Sequence, residues 1–144
     1  VLERLKPGTD FPPFTAEDLN GKPVSYESLK DKLLYIDVWA TWCKPCIKEI
    51  PSMKALQEAY KGKPVTFVSI SVDQDKEAWK AAVQREKLSG IQLYTNLSMN
   101  RDFIDNYDLS GIPRFMLVKN GKIISISAPK PSDAKVKELI NANL

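Results

Sequence analysis

The sequence has 144 residues, of which 43% are hydrophobic and 27% are charged, a composition typical of a globular protein that can bury a core. Its 21 basic and 18 acidic residues give a formal net charge of +3 with no lysine cluster, which argues against nucleic acid or an anionic membrane as a partner. Histidine is absent, which excludes Ser-His-Asp and Cys-His catalytic pairs, and two cysteines are too few for a four-ligand zinc site, so no metal is expected.

Two features bear on where the chain belongs in the cell. No apolar run approaches the length that crosses a bilayer, and the first residues lack the apolar core of a signal peptide. The chain begins with Val1 rather than Met, which favours a processed or trimmed sequence. We therefore expect residues 1–144 to form one domain, and we keep open that it is the C-terminal domain of a longer, membrane-anchored protein.

The first 30 residues are interpreted as an N-terminal extension. Residues 14–19 and 23–26 are predicted to pair as a hairpin across Asn20-Gly21, because Asn-Gly is a strong turn signal between strand-forming runs.

The middle of the chain alternates between strand and helix patterns. Nearly continuous apolar runs predict strands buried on both faces, and apolar residues at helical spacing predict the helices between them. The predicted strands cover residues 33–39, 65–72 and 91–94, and the predicted helices cover residues 46–60, 76–87 and 100–107. This alternation predicts a layered α/β domain with a partly parallel sheet.

The C-terminal part is expected to add an antiparallel edge to that sheet. Residues 114–119 and 122–127 flank a second Asn-Gly pair, which is the clearest hairpin signal in the chain. Residues 132–144 predict a closing helix, with Ser132 or Asp133 as its N-cap.

The two cysteines lie where the first buried strand gives way to a helix, in the sequence Trp42-Cys43-Lys44-Pro45-Cys46. A thiolate at this point faces unpaired backbone N–H groups and the positive end of the helix dipole, which lower its pKa, and Lys44 adds positive charge. Pro45 is tolerated in the first helical turn, and the i+3 spacing lets the two sulfurs meet. The pair predicts redox catalysis, with Cys43 as the exposed attacking thiol and Cys46 as the buried resolving thiol.

The segment from Asp37 to Cys46 resembles the active site of thioredoxins. It reads Asp-Val-Trp-Ala-Thr-Trp-Cys-Lys-Pro-Cys, and the match extends to Pro51, five residues past the second cysteine. Residues 110–113, Ser-Gly-Ile-Pro, resemble the cis-proline loop of the same fold.

The chain as a whole is most similar to the extracytoplasmic TlpA/ResA-like branch of the thioredoxin superfamily. The similarity includes the N-terminal Phe-Pro-Pro-Phe and Gly-Lys-Pro segments and the additional strand and helix between residues 65 and 90. It implies a three-layer thioredoxin-like fold: a central mixed sheet with helices on both faces, an N-terminal hairpin extension and an inserted strand–helix element.

Two carboxylates are candidates for the catalytic machinery. Asp37 lies inside an apolar strand, where an ionised carboxylate is costly unless partnered, and a raised pKa would let it take the proton from Cys46, as thioredoxins do. The alternative is a solvated Asp at an edge. Glu49, three residues after Cys46, matches a Glu that tunes the cysteine pair in ResA-like proteins, and its alternative is an ordinary solvated helix residue.

The resemblance also implies a surface that meets the substrate. A cis bond before Pro113 would turn the Ile112 backbone toward the sulfurs, where an extended substrate can hydrogen-bond as an added strand. Arg114 replaces the small residue of thioredoxins, and it either contacts a partner or is solvated. Trp42 is expected to form an apolar rim beside Lys44 and Pro45.

The sequence therefore predicts a thiol–disulfide oxidoreductase that needs no cofactor and reduces disulfides in extracytoplasmic proteins such as apocytochrome c. The resemblance implies a membrane-bound thiol carrier as its electron donor. Three alternatives remain: a disulfide oxidant or isomerase on the same fold, a binding module without turnover, and a peroxiredoxin-type thiol peroxidase. The peroxidase is disfavoured because its Pro-x-x-x-Thr-x-x-Cys motif is absent: Thr41 is only two residues before Cys43.

Overall fold

The computed structural model describes residues 2–144 and forms one mixed sheet of seven strands in the order β2-β1-β5-β4-β3-β6-β7. The strands are β1 (Thr15–Glu17), β2 (Pro23–Ser25), β3 (Leu33–Trp39), β4 (Thr66–Ser71), β5 (Ile91–Tyr94), β6 (Arg114–Lys119) and β7 (Lys122–Ser125). The helices are α1 (Lys44–Lys48), α2 (Ile50–Ala59), α3 (Lys76–Arg85), α4 (Asp102–Asn106) and α5 (Lys135–Asn141). Within the described range, no helix has both the length and the apolar composition needed to span a bilayer.

The strand directions bring several chain segments to one edge of the sheet. Strands β3, β4 and β5 are parallel, whereas β6 runs antiparallel to β3. The carboxyl ends of the three parallel strands and the beginning of β6 therefore share an edge. The cysteine pair follows β3 at this edge, and residues 110–113 precede β6 beside it.

The core lies on both faces of the sheet, which confirms the predicted layered α/β fold. One face is covered by α2 and α5, and the other by α3, α4 and the N-terminal segment. The first face buries Leu33, Tyr35, Leu56, Tyr60, Phe67, Phe115, Leu117, Val136 and Ile140. Alternate residues of β3 point to opposite faces, because side chains in a strand have a period of two.

The N-terminal hairpin forms as predicted, and it extends the sheet. Thr15 pairs with Ser25, and Gly21 in the turn has a φ of +77°, a conformation that glycine adopts without strain. Strand β1 also pairs with β5 through Glu17 and Tyr94, so the hairpin joins the sheet beside β5.

The predicted helix over residues 46–60 is wrong as one continuous helix. The structure has α1 and α2 instead, separated at Glu49, with Pro51 in the first turn of α2. Proline has no N–H to donate to the carbonyl four residues earlier, and its ring clashes with that carbonyl, so the helix breaks there. The break places the Glu49 side chain at the junction rather than on a continuous helical face.

Two C-terminal boundaries also differ from the prediction. Strand β7 ends at Ser125 rather than at residue 127, and α5 begins at Lys135 with Ala134 at the N-cap position. Asp133 still supplies a capping contact, since its Oδ1 accepts a 2.9 Å hydrogen bond from the Lys135 N–H.

Candidate active site

The two cysteines are joined as a disulfide at the start of α1, with 5.2 Å between their Cα atoms. Cys43 is the N-cap of this helix and has an extended backbone. Its Sγ accepts a 3.3 Å hydrogen bond from the Cys46 N–H. The first turn of α1 therefore already directs a backbone donor at the sulfur that is predicted to attack.

Both sulfurs are covered in this oxidised form, which corrects the expectation that Cys43 is exposed. Cys43 is 4% exposed and Cys46 is 5% exposed. The reason is the neighbouring loop, whose Ile112 carbonyl oxygen lies 3.8 Å from Cys43 Sγ. Trp42, the residue before the pair, is 69% exposed, so the apolar surface at this site comes from the tryptophan rather than from the sulfurs.

The loop that carries Pro113 meets the disulfide because β6 lies beside β3. The peptide bond between Ile112 and Pro113 is cis. Pro113 lines the same pocket as Cys46, and Arg114 begins β6 opposite Val38. The predicted cis-proline segment and the cysteine pair are thus adjacent.

The Arg114 side chain makes hydrogen bonds within its own chain. Its guanidinium donates hydrogen bonds of 2.9 Å to the Tyr107 carbonyl, 2.8 Å to the Asp108 carbonyl and 3.4 Å to the Ile126 carbonyl. These bonds join the end of α4 to the start of β6 and the segment after β7. Arg114 is half-buried, and its guanidinium holds the segment that begins with the proline loop against these two neighbouring segments.

Asp37 lies in the middle of β3 and faces a pocket beneath the cysteines. Ser69 Oγ on β4 donates a 2.5 Å hydrogen bond to Asp37 Oδ1. Burial raises the pKa of Asp37 to about 7, against the opposing effect of the Ser69 hydrogen bond. A carboxyl group that titrates near neutral pH can both accept and release a proton under ordinary conditions.

Glu49 lies at the junction of α1 and α2, where its carboxylate is held by Ser132. Its Oε1 accepts a 3.0 Å bond from the Ser132 N–H, and its Oε2 accepts a 2.8 Å bond from the Ser132 hydroxyl. Glu49 is half-buried, so it is not the freely solvated residue of the alternative interpretation. These bonds tie the cysteine helix to the segment that precedes α5.

One pocket under α2 brings the predicted groups together. Its walls include Asp37, Cys46, Glu49 and Pro113. The cavity volume is about 40 Å³, and a single water molecule needs about 10–15 Å³. The pocket is therefore large enough for two or three water molecules next to the second cysteine.

Asp73 is a buried residue of the site that the sequence patterns did not indicate. It is 2% exposed, and its carboxylate accepts hydrogen bonds from the Thr41 N–H, the Thr41 hydroxyl and the Ser71 hydroxyl. Thr41 lies two residues before Cys43, so Asp73 anchors the turn that carries the cysteine. The available signal was its position directly after a buried strand, at the edge where parallel strands end.

The sequence matches a family of redox proteins. The redoxin family model matches residues 6–142. The chain is 30% identical over 140 residues to the thiol-disulfide oxidoreductase ResA of Bacillus subtilis (strain 168), across 96% of this chain and 76% of that protein. It is 32% identical over 123 residues to ResA of Bacillus anthracis, across 85% of this chain and 69% of that protein.

Solved structures agree with this similarity. A crystal structure of a proposed thiol-disulfide oxidoreductase from Bacteroides vulgatus has a TM-score of 0.91 and 32% identity, and the match covers 99% of this chain and 100% of that chain. A solution structure of a proposed thiol-disulfide oxidoreductase from the same organism has a TM-score of 0.82 and 45% identity, covering 98% of this chain and 92% of that chain. These matches confirm the thioredoxin-like fold.

Proposed function

Because the chain belongs to the redoxin family and is a thiol–disulfide oxidoreductase, we propose that it reduces disulfide bonds in proteins outside the cytoplasm. The main support for reduction rather than oxidation of the substrate is the pocket that Asp37, Glu49 and Cys46 line together. Negative charge beside Cys46 disfavours the thiolate form of that cysteine. The reduced state is then less stable, which makes the pair a better electron donor.

The first chemical step uses Cys43. In the reduced protein, its thiolate attacks one sulfur of the substrate disulfide, the Cys43–substrate bond forms, and the other substrate sulfur leaves and takes a proton from water. The Cys46 N–H at 3.3 Å and the first turn of α1 favour the ionised sulfur. Movement of the loop at Ile112 would uncover the sulfur for this attack.

The second step uses Cys46 with Asp37 as its base. The Cys46 thiol gives its proton to Asp37, and the resulting thiolate attacks Cys43 Sγ in the mixed disulfide. The Cys43–Cys46 bond forms, the Cys43–substrate bond breaks, and the second substrate sulfur leaves reduced. Asp37 suits this role because it shares the pocket with Cys46 and has a pKa of about 7.

The substrate is proposed to lie along the surface next to Trp42. Its exposed indole offers an apolar contact, and the neighbouring Lys44 and Pro45 are also exposed. An extended substrate segment can hydrogen-bond to the backbone at Ile112 beside Pro113, as strands do when they add to a sheet edge.

The proposed setting follows the resemblance to the extracytoplasmic TlpA/ResA-like branch of the thioredoxin superfamily. We place the protein outside the cytoplasm, with a membrane-bound thiol carrier that returns it to the dithiol form. Apocytochrome c is the proposed substrate, because its haem-attachment sequence Cys-x-x-Cys-His presents two cysteines that must be reduced before haem is bound.

The test is to measure the reduction potential of the pair and its activity on two disulfide substrates. We expect a potential nearer to about −270 mV, as in thioredoxin, than to about −120 mV, as in a strong oxidant. Insulin and an oxidised Cys-x-x-Cys-His peptide are both expected to be reduced, and a Cys43→Ala variant serves as the control. A reduction potential near that of the strong oxidant would mean that the protein oxidises its substrates instead. Failure to reduce the peptide would exclude apocytochrome c as the substrate.

A further inference from the structure

The loop that covers Cys43 is held at its two ends rather than along its length. This proline loop comprises residues 109–113, and its Ile112 carbonyl oxygen lies 3.8 Å from Cys43 Sγ. Within residues 2–144, the N–H groups of residues 110–112 donate no backbone hydrogen bond. The Ile112 side chain packs against the core. The position of the loop over the sulfur therefore depends on how firmly the chain is fixed on either side of it.

Two arginines bond the four carbonyl groups that lead into this loop. The Arg4 guanidinium donates a 2.5 Å hydrogen bond to the Asp105 carbonyl and a 2.8 Å hydrogen bond to the Asn106 carbonyl. Arg114 donates to the next two carbonyls, those of residues 107 and 108. The last carbonyls of a helix lack donors from a following turn, and arginine side chains can supply them. The end of α4 is therefore fixed by two guanidinium groups, one of which comes from the start of the chain.

The backbone that carries Arg4 is itself well anchored. Leu5 is 1% exposed and belongs to the core. The Gly8 N–H donates a 2.8 Å hydrogen bond to the Ile123 carbonyl on β7, and the Ile123 N–H donates a 2.9 Å hydrogen bond to the Thr9 carbonyl. A side chain can hold a neighbouring segment only if its own backbone is fixed. The N-terminal segment, residues 3–12, meets this condition because it is attached to both the core and β7.

A second contact joins the N-terminal segment to the same part of the chain. The hydroxyl of the fully buried Tyr107 donates a 2.7 Å hydrogen bond to the Pro12 carbonyl. The Tyr107 ring stacks on Phe11, with 5.0 Å between the ring centroids. Tyr107 lies directly after α4 and two residues before the proline loop. The exposed Arg4 is the part of this contact that can be removed without leaving a cavity in the core.

We propose that Arg4 is a positioning residue for the proline loop over Cys43, so that the N-terminal segment is part of the active site. The two bonds from Arg4 hold the chain just before the loop, and they favour the conformation in which the Ile112 carbonyl covers the sulfur. Their loss increases the population in which the loop moves away and the sulfur is accessible. The inference goes beyond the proposed function, because the sulfur is covered whichever way the disulfide exchange runs.

The test compares Arg4→Met with Arg101→Met in the oxidised protein. Methionine keeps a long, unbranched side chain and removes the guanidinium. Arg101 is exposed at the other end of α4 and gives that helix no side-chain cap, so it is the matched control. The first measurement is the rate at which dithiothreitol reduces the disulfide, since its thiolate must reach a sulfur to break the bond. The second is amide hydrogen exchange at Leu109, whose N–H donates a 3.0 Å hydrogen bond to the Ile104 carbonyl at the base of the loop.

We expect Arg4→Met to be reduced about three- to tenfold faster than wild type, because hydrogen bonds to a charged group are lost. Exchange at Leu109 should accelerate as well, while the amides of β3 and β4 keep their wild-type rates and Arg101→Met behaves as wild type. The strand amides separate a local movement of the loop from a general loss of stability. A wild-type reduction rate in Arg4→Met would overturn the proposal, and so would an equal acceleration of exchange in β3 and β4.

Discussion

The Thr41 hydroxyl donates a 2.7 Å hydrogen bond to Asp73 Oδ1, and this bond joins the turn before the cysteines to the end of β4. The Thr41 N–H adds bonds of 3.1 Å to both oxygens of the same carboxylate. A buried carboxylate that accepts several hydrogen bonds is a firm anchor, because each donor would otherwise lose its partner. The position of Cys43 therefore depends on a residue thirty positions later in the chain.

Asp73→Ala is expected to destabilise the protein by about 2–4 kcal/mol, because it leaves the Thr41 N–H and the Ser71 hydroxyl without their buried acceptor. Denaturant unfolding of the oxidised form measures this loss. Asp73→Asn, which keeps one acceptor oxygen, is expected to lose less. Equal stability of wild type and Asp73→Ala would show that the anchor is unimportant.

Asp37→Asn is expected to stabilise the protein at high pH. Folding raises the Asp37 pKa from its ordinary 3.8 to about 7, so between these values the folded state binds more protons than the unfolded state. Wild-type stability must then fall as the pH rises from about 4 to about 7 and level off above that range, by up to about 4 kcal/mol in total.

The measurement for Asp37 is the free energy of unfolding of oxidised wild type and Asp37→Asn from pH 4 to pH 8. The two curves should separate as the pH rises, with the variant more stable at pH 8. Parallel curves would mean that Asp37 is not held in a buried, protonation-dependent site. Reduced protein reacts with 5,5′-dithiobis(2-nitrobenzoate) in two steps: attack by Cys43 releases one thionitrobenzoate, and resolution by Cys46 releases the second. Asp37→Asn is expected to slow the second release and to leave the first unchanged.

Ser69→Ala removes the hydrogen bond that opposes the effect of burial on Asp37. The pKa of Asp37 is therefore expected to rise above about 7, and the pH midpoint of the resolving step should move upward with it. Stopped-flow measurement of the second thionitrobenzoate release across the pH range checks this shift. Ser98→Ala, at an exposed position, is the matched control, and a midpoint that stays at the wild-type value contradicts the assignment.

Arg114→Met is expected to weaken the proline loop rather than substrate recognition. The guanidinium bonds the carbonyls of Tyr107, Asp108 and Ile126, so its loss should cost about 1–3 kcal/mol of stability. Thermal unfolding gives the stability, and reduction of a protein and of a small disulfide at low temperature gives the selectivity. A loss of activity on the protein substrate alone would contradict this prediction and show that Arg114 contacts the substrate.

The sequence predicted those parts of the site that depend on local spacing. The Cys43–Cys46 spacing at the end of a buried strand, and an Asp inside that strand, are visible within ten residues. The alternation of strands and helices was enough for the layered fold, because short connections limit how such elements can pack. The break at Pro51 was also visible locally, but the helical spacing of the apolar residues outweighed it in the prediction.

The contacts that the sequence did not predict join distant parts of the chain. Thr41 meets Asp73, and Asp37 meets Ser69, across a separation of 32 residues in each case. These contacts depend on the register between β3 and β4, which hydrophobic patterning does not determine to the residue. The bonds of Arg114 likewise depend on how the chain returns after α4 and β7, and the covering of Cys43 depends on the loop at Ile112.

The most direct test of the account is a pair of trapping variants. Reduced Cys46→Ala is mixed with oxidised insulin, and the products are separated without reductant and identified by mass spectrometry. The account predicts an accumulated mixed disulfide on Cys43 in Cys46→Ala and none in Cys43→Ala, because only Cys43 attacks and only Cys46 resolves. Trapping by Cys43→Ala in place of Cys46→Ala would contradict the assigned roles of the two sulfurs.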